Sequence, residues 1–462
     1  MSKLARVWVV LCLISICVHS AAPAQVRRLS LDDAVALAME YNRELRVAKL
    51  EQAKAEQSVR EAWGNVYPSL TLTGQFAHSF RNTNFFIFPA GFGLPPGAPA
   101  SGAGSNAPTQ IVATGINNIN ATLQFTQPIY RGAIFAGIRA STVVDAISDE
   151  SFIAARANTV TDVKKAYYDV LIAQESAKLI EQSIARNEQA LQDVRLLYRQ
   201  GLAADIDTLR AYLAVENLRP QLIKAQNAVE TAKTMLKVKI GLPTSEELEL
   251  TDALRAQNLI PTPSFADAYT EALKNRPEVR QLELQERANT EQIAAEFSNM
   301  LPTLDLFAQA QVLTLQNNFN IGSYQWGTNL AAGLQLSVPI FSGFRNDARL
   351  QRAELERKQT QARLENLQEL IRSEVLVALA NLDEAKKRIA VQATTVQSAE
   401  RSYAITRSRR QQGIGSQLEL TDAELALNQA KVNYLQAVYD YLIAKANLEK
   451  VLGRAGRLDI KP

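Results

Sequence analysis

The chain is poor in the residues that build covalent and metal chemistry. Of 462 residues, two are cysteine and two are histidine. Both cysteines, Cys12 and Cys17, fall in the first 24 residues. That stretch has a positive start (Lys3, Arg6), a short apolar core at 7–18 (VWVVLCLISICV) and a small-x-small site at Ala22-Pro23-Ala24. This is the pattern of a secretory signal, so residues 1–24 are expected to be removed and the mature chain to begin near Gln25. Lipid attachment at Cys17 is disfavoured, because Ile16 stands where a small residue is expected. A mature chain without thiols has no disulfide, no thiolate metal site and no cysteine nucleophile. His19 leaves with the signal, and His78 alone cannot hold a metal. No GxSxG, Walker or strand-linked GxGxxG pattern occurs, so no enzyme activity, cofactor or metal is expected. No charge excess exists either: 50 Lys+Arg stand against 47 Asp+Glu, and losing Lys3 and Arg6 leaves a net of +1. That gives no electrostatic case for nucleic acid. Finally, no apolar run after the signal reaches the roughly 18 residues of a membrane-spanning helix. An exported chain with neither disulfides nor a spanning helix is periplasmic, secreted, or held in an outer membrane by strands.

What the chain does have is an internal repeat. Residues 31–72 and 265–306 align without gaps at a spacing of 234: Asp33 falls on Asp267, Glu44 on Glu278, Arg46 on Arg280, Pro68 on Pro302 and Leu72 on Leu306. A repeat of half the chain implies one structural unit built twice. The expected domains are a signal at 1–24, a first repeat at 25–262 and a second at 263–462.

Each repeat reads in the same order. An Ala/Glu/Gln/Arg-rich helix comes first, at 31–66 and 265–300, with Ser30 and Ser264 placed as N-caps before acidic first turns. A β-hairpin follows, at 68–127 and 302–338. Its strands alternate apolar and polar residues (Leu70, Leu72, Gly74, Phe76; Leu304, Leu306, Ala308, Ala310), a period of two with one greasy face. The first hairpin loop, with a Pro/Gly/Ala/Ser-rich tract at 88–108, is 23 residues longer than the second, since Pro68→Pro302 shifts by 234 but Pro128→Pro339 by 211. Return strands at 119–127 and 328–338 are expected to stop at matched corners, Pro128 to Gly132 and Pro339 to Gly343. Helical hairpins then span 132–240 and 343–452. Their first limbs lack proline for about 70 residues, or roughly 100 Å at about 1.5 Å per residue. Heptad-like seams mark both: Val163, Tyr167, Val170, Ala177, Leu191, Val194 and Tyr198, then Ala378, Leu382, Ala385, Ile389, Val396 and Tyr403. The limbs turn at glycine, in QGLAADIDTLRA around Gly201 and QGIGSQLELTDA around Gly413. Four strands cannot close a membrane barrel, which needs about eight or more, so a closed oligomer is required.

The front segment LSLDDAVALAMEYNRELR, the two Pro–Gly corners and the two glycine tips, in this order twice, resemble the outer-membrane efflux protein family, the TolC-like exit ducts. The resemblance covers almost all of the mature chain. It implies a mainly α fold with a small β part, and a homotrimer whose four strands per chain share a 12-stranded barrel in outer-membrane lipid. The helical hairpins would form a periplasmic α-barrel. It also implies partners: a periplasmic adaptor (membrane fusion) protein, and an inner-membrane pump or ABC transporter. The duct would be a passive conduit for efflux or type I secretion.

Carried over residue by residue, the resemblance places an acidic ring at the periplasmic aperture. It uses Glu419 and Asp422, six and nine residues after Gly413. Asp207 matches a carboxylate of the closed mouth. Its usual partners do not match, because Arg410 and Gly415 stand in their places; Asp207 is then either a solvated surface acid or paired with Arg410. Gly201, Leu202 and Ala203, with Gly413, Ile414 and Ser416, match the tip that docks an adaptor; glycine suits the turn, but an apolar Leu202 and Ile414 need another reason. Phe80, Phe85, Phe86, Phe88 and Phe92 form either an interfacial girdle, an extracellular plug or a loop knot. The competing reading is a periplasmic coiled-coil adaptor or scaffold without a pore, which would carry one helical hairpin rather than two and would not need greasy strands.

Overall fold

The structure is a computed structural model that describes residues 27–80, 85–88, 109–112, 117–256, 259–316, 319, 320, 322 and 324–457. The signal region, Cys17 and Phe92 lie outside the described residues. In chain order the elements are β1 (Arg27–Leu29), α1 (Leu31–Tyr41), α2 (Arg43–Gly64), β2 (Ser69–His78), β3 (Phe85–Phe88), β4 (Thr109–Val112), β5 (Asn117–Tyr130), α3 (Gly132–Arg199), α4 (Asp205–Glu216) and α5 (Arg219–Ile240). The second half follows with β6 (Leu248–Leu250), α6 (Phe265–Asn275), α7 (Pro277–Ser298), β7 (Thr303–Gln316), β8 (Gly327–Ser337), α8 (Arg345–Gln411) and α9 (Gln417–Val451). The chain forms two compact units: residues 1–53, 146–283 and 361–462, and residues 54–145 and 284–360.

The first unit is helical around one apolar core. Val160, Val163, Tyr167 and Val170 of α3 meet Ile371, Val375 and Leu382 of α8, with Leu236, Ile240 and Tyr441 from the return limbs. A short parallel pair, β1 on β6, contributes Leu29 and Leu248 to this core. The seams of the long helices are buried at Val163, Val170, Leu191, Val194, Leu382 and Ile389, but Tyr198 is exposed.

Each of the two first helices, expected to be continuous, is broken after 11 residues. In the first repeat Asn42 adopts extended backbone; its Oδ1 accepts from the Leu45 amide at 2.8 Å and its Nδ2 donates to the Lys239 carbonyl at 2.6 Å. In the second repeat the equivalent residue, Arg276, precedes Pro277, which disfavours helical backbone before it. One break thus has two chemistries. The packing is shared: each break lies against a glycine that ends a return limb, so closely that no side chain fits there. A Cβ on Gly241 (φ +96) would lie 2.1 Å from the Tyr41 carbonyl oxygen, and one on Gly453 (φ +73) 2.7 Å from the Asn275 carbonyl carbon. Ser30 and Ser264 cap as expected, each accepting from an aspartate amide at 3.2 Å. The first return limb, expected as one helix, is also interrupted, at Asn217 and Leu218 before Pro220.

The second unit holds the sheet, an antiparallel run β2-β5-β7-β8. The two hairpins join through β5 and β7, from Asn117↔Gln316 to Tyr130↔Leu304. The first corner differs from expectation. Proline lacks the N–H a ladder needs, yet β5 runs through Pro128 to Tyr130, with a register shift there. Its neighbour β7 supplies the pairing, and β8 ends at Ser337, before Pro339. Arg131, just past β5, makes a bidentate pair with Asp305 of β7, both bonds 2.8 Å.

Candidate functional site: an apolar sheet face and two glycine tips

The sheet separates polarity by face. Cross-strand partners share a face, so Leu72 sits beside Leu123, Ala310 and Leu330, and Leu306 beside Leu334. Leu70, Leu72, Phe76, Leu330, Leu334 and Leu336 are all more than half exposed. The opposite face carries Thr71, Thr73, Gln75, Asn120, Gln124, Gln309, Gln311 and Gln335. In water this apolar face would be costly at about 25 cal/mol per Å²; in lipid it is the favoured surface, and the polar face suits a water-filled lumen. Among the described residues, β2 and β8 have no partner on their outer edges, and no helix is long and apolar enough to cross a membrane.

The two tips of the helical hairpins share one local design. Gly201 (φ 76) and Gly413 (φ 80) end α3 and α8 in the left-handed region. Leu202 donates to the Leu197 carbonyl at 2.9 Å, and Ile414 to the Arg409 carbonyl at 3.0 Å, closing each turn in the same manner. This turn usually buries the residue after its glycine against the last helical turn. Here Leu202 is 69% and Ile414 64% exposed, so the turn does not account for their apolar character. Ala203 is half-buried. Ser416 has a local role: it caps α9, its Oγ accepting from the Glu419 amide at 3.1 Å. Gly415, which stands where the resemblance leads one to expect a basic residue, sits in a tight place, since a Cβ there would lie 3.1 Å from the Arg410 amide nitrogen.

Glu419 and Asp422 both lie exposed in the first two turns of α9. Asp207 is in the first turn of α4. Among the described residues no ion pair joins Asp207 to Arg410, whose Nε and Nη2 have neither solvent contact nor a hydrogen-bond partner.

A polar cluster absent from the sequence expectations lies behind the second tip. Glu424 of α9 is buried, and Arg186 of α3 donates through Nε to both its oxygens, at 2.8 and 3.1 Å. Ser183 donates to the same carboxylate at 3.0 Å, and Asn428 bonds Glu424, Arg186 and Ser183. The signal was present: Gln417, Leu420, Glu424 and Leu427 are spaced by three and four along a buried stripe, and a glutamate occupies one core position.

Comparison with known proteins gives a consistent result. A family model described as outer membrane efflux protein matches residues 34–242 and 268–454. The outer membrane efflux protein BepC of Brucella suis is 24% identical over 64% of this chain, and the aligned part spans 63% of that protein's own length. The alkaline protease secretion protein AprF of Pseudomonas aeruginosa is 25% identical over 74% of this chain and 71% of its own. The open-state structure of the Neisseria gonorrhoeae MtrE outer membrane channel matches at a TM-score of 0.71, with 20% identity, over 94% of this chain and 91% of that one.

Proposed function

This chain belongs to the outer membrane efflux protein family, and we propose that three copies of it form a passive duct from the periplasm to the cell exterior. The observation that carries the reading is the sheet: among the described residues it has four strands, two unpaired edges and one exposed apolar face. Four strands leave edges that lipid cannot satisfy, and closure by further copies is the remedy. Three copies give the 12-stranded barrel of the trimeric reading. A coiled-coil adaptor has no use for such a face.

In this duct Glu419 and Asp422 of three copies line the periplasmic aperture. Both are exposed on one chain, as ring residues must be before assembly. Clustered carboxylates in a narrow mouth favour cations and multivalent metals as passing ions. Asp207 and Arg410 are the secondary latch: the unsatisfied guanidinium nitrogens of Arg410 suit a carboxylate brought by another copy or by a closing movement. The apolar tips at Leu202 and Ile414 seat a periplasmic adaptor, with an inner-membrane pump or ABC transporter beyond it. The names of BepC and AprF correspond to the two uses of such a duct, efflux and protein secretion.

The test is reconstitution in planar bilayers after extraction from outer membranes. The protein should migrate as a heat-modifiable trimer and conduct, and E419A/D422A should raise conductance severalfold and lower cation selectivity. A soluble monomer without conductance refutes the duct; unchanged conductance and selectivity in the double variant refute the ring alone.

A further inference from the structure

The helical hairpins of the two repeats correspond residue for residue at an offset of 212. Gly201 falls on Gly413 and Gly241 on Gly453, all four with positive φ. Buried Val163, Tyr167, Val170 and Ala177 of α3 fall on buried Val375, Leu379, Leu382 and Ile389 of α8. Val215, Leu236 and Ile240 of the first return limb fall on Leu427, Leu448 and Leu452, again all buried. A contact between α3 and α9 therefore has an image between α8 and the α4–α5 limb.

Inside one chain, polar rungs fasten α3 to α9. Lys164 pairs with Glu449 at 2.6 Å, the Tyr439 hydroxyl donates to Asp169 at 2.6 Å, and Ser183 and Arg186 hold Glu424 and Asn428. From Lys164 to Arg186 these rungs cover roughly 33 Å of α3. Their images carry none of this chemistry. Leu376 and Lys237 stand for Lys164 and Glu449, and Asn381 and Asn227 for Asp169 and Tyr439. Thr395 and Ser398, with Tyr212 and Glu216, stand for Ser183, Arg186, Glu424 and Asn428. The two charges among these images are engaged within their own limb: Lys237 donates to the Thr244 carbonyl at 3.0 Å, and Glu216 pairs with Arg219 at 3.5 Å. Leu376, Asn381, Thr395 and Ser398 are exposed on one chain. In the trimeric duct that face meets the α4–α5 limb of the next copy.

We propose that the duct opens along the seams between copies, α8 parting from the next copy's α4–α5 limb, while the α3–α9 seam of each chain stays shut and its limbs move as one sector. The proposal rests on the trimeric duct reading and adds which seam moves. Parting α3 from α9 would strip Glu424 from Arg186 and Lys164 from Glu449, and close charge pairs across an interface are strongly coupled. Parting the other seam separates only neutral or locally engaged groups. Its one complementary pair is the latch at the tip: Arg410 ends α8 with two unpartnered guanidinium nitrogens, and Asp207 lies in the first turn of α4. α8 follows α9, because Lys431 pairs with Glu400 at 2.9 Å and Arg388 with Asp440 at 2.6 Å. Glu419 and Asp422 therefore travel with α3, and the aperture widens by separation of sectors.

Cysteine pairs in the full-length chain, oxidised in outer membranes and recorded in planar bilayers before and after reductant, test which seam moves. S183C/N428C bridges α3 and α9, where the two side chains meet at 2.5 Å; its image, T395C/E216C, bridges adjacent copies. Oxidised S183C/N428C should open as often as its reduced form. Oxidised T395C/E216C should run as a covalent trimer and open at least about tenfold less often than its reduced form, a difference of about 1.4 kcal/mol. Closure by the S183C/N428C bond overturns the proposal. So does a T395C/E216C chain that forms no covalent trimer, or one whose opening is unchanged by the bond. Y212E/S398R needs no disulfide: it installs the image of Glu424 and Arg186 at two exposed positions. It should open at least about tenfold less often than Y212E or S398R alone, and equal opening in all three overturns the proposal as well. An unmodified protein that neither trimerises nor conducts overturns the duct reading instead.

Discussion

Removing the Glu424 carboxylate should loosen the first turns of α9, which carry Glu419 and Asp422. Glu424 is 6% exposed and Arg186 23% exposed, and the carboxylate accepts from Arg186, Ser183 and Asn428. Deleting one partner of a buried pair costs about 3–5 kcal/mol because the other charge is stranded. Arg186 retains some access to water, which reduces the cost to about 2–3 kcal/mol. That corresponds to an opening equilibrium about 30- to 150-fold more favourable. The assay is amide hydrogen exchange of residues 417–430 in the purified protein. E424A should speed exchange there by that factor, leave the core around Val163 and Ile371 unaffected, and raise spontaneous channel opening. E424Q keeps an acceptor oxygen and should have a smaller effect. R186A/E424A removes both charges, so its effect should fall short of the sum by at least about 1 kcal/mol. Unchanged exchange in E424A, or strict additivity in the double variant, refutes the reasoning.

Charges at the tips and protons at the chain's C-terminal end supply two further checks. L202D with I414D replaces exposed apolar side chains, so stability should change by no more than about 0.5 kcal/mol; conductance should persist while export falls at least tenfold, and intact export would remove the docking role. Glu271 accepts two hydrogen bonds from the Arg454 guanidinium, at 2.6 and 2.8 Å, and these hold its carboxyl below the ordinary glutamate range against the opposing effect of burial. A folded-state value below the unfolded one means the contribution is present at neutral pH and lost as pH falls through the folded value. E271Q should therefore lower the melting temperature by about 1–3 °C at pH 7 and progressively less as pH falls below the ordinary glutamate range; an equal effect at neutral and acid pH would refute the linkage.

Much of the fold was legible because its signals are local. A glycine in the left-handed region at Gly201 and Gly413, a serine before an acidic turn at Ser30 and Ser264, and period-two alternation in β2 and β7 all act within a few residues. Features that depend on distant partners were not legible. The break at Asn42 is stabilised by the Lys239 carbonyl, 197 positions away, and nothing adjacent announces it as Pro277 does in the second repeat. The passage of β5 through Pro128 depends on β7, and the burial of Glu424 depends on α3.

The amino-acid sequence by itself determined the repeated unit, the period-two greasy strands and the glycine tips. Each follows from residue type and spacing, which set local backbone and polarity. Only the tertiary structure decided that the hairpins join through β5 and β7, which edges remain open, and which acids face solvent and which are paired in the interior. Those outcomes follow from contacts between segments up to about half the chain apart, chosen by packing and by satisfaction of backbone and buried polar groups, and no local pattern encodes them.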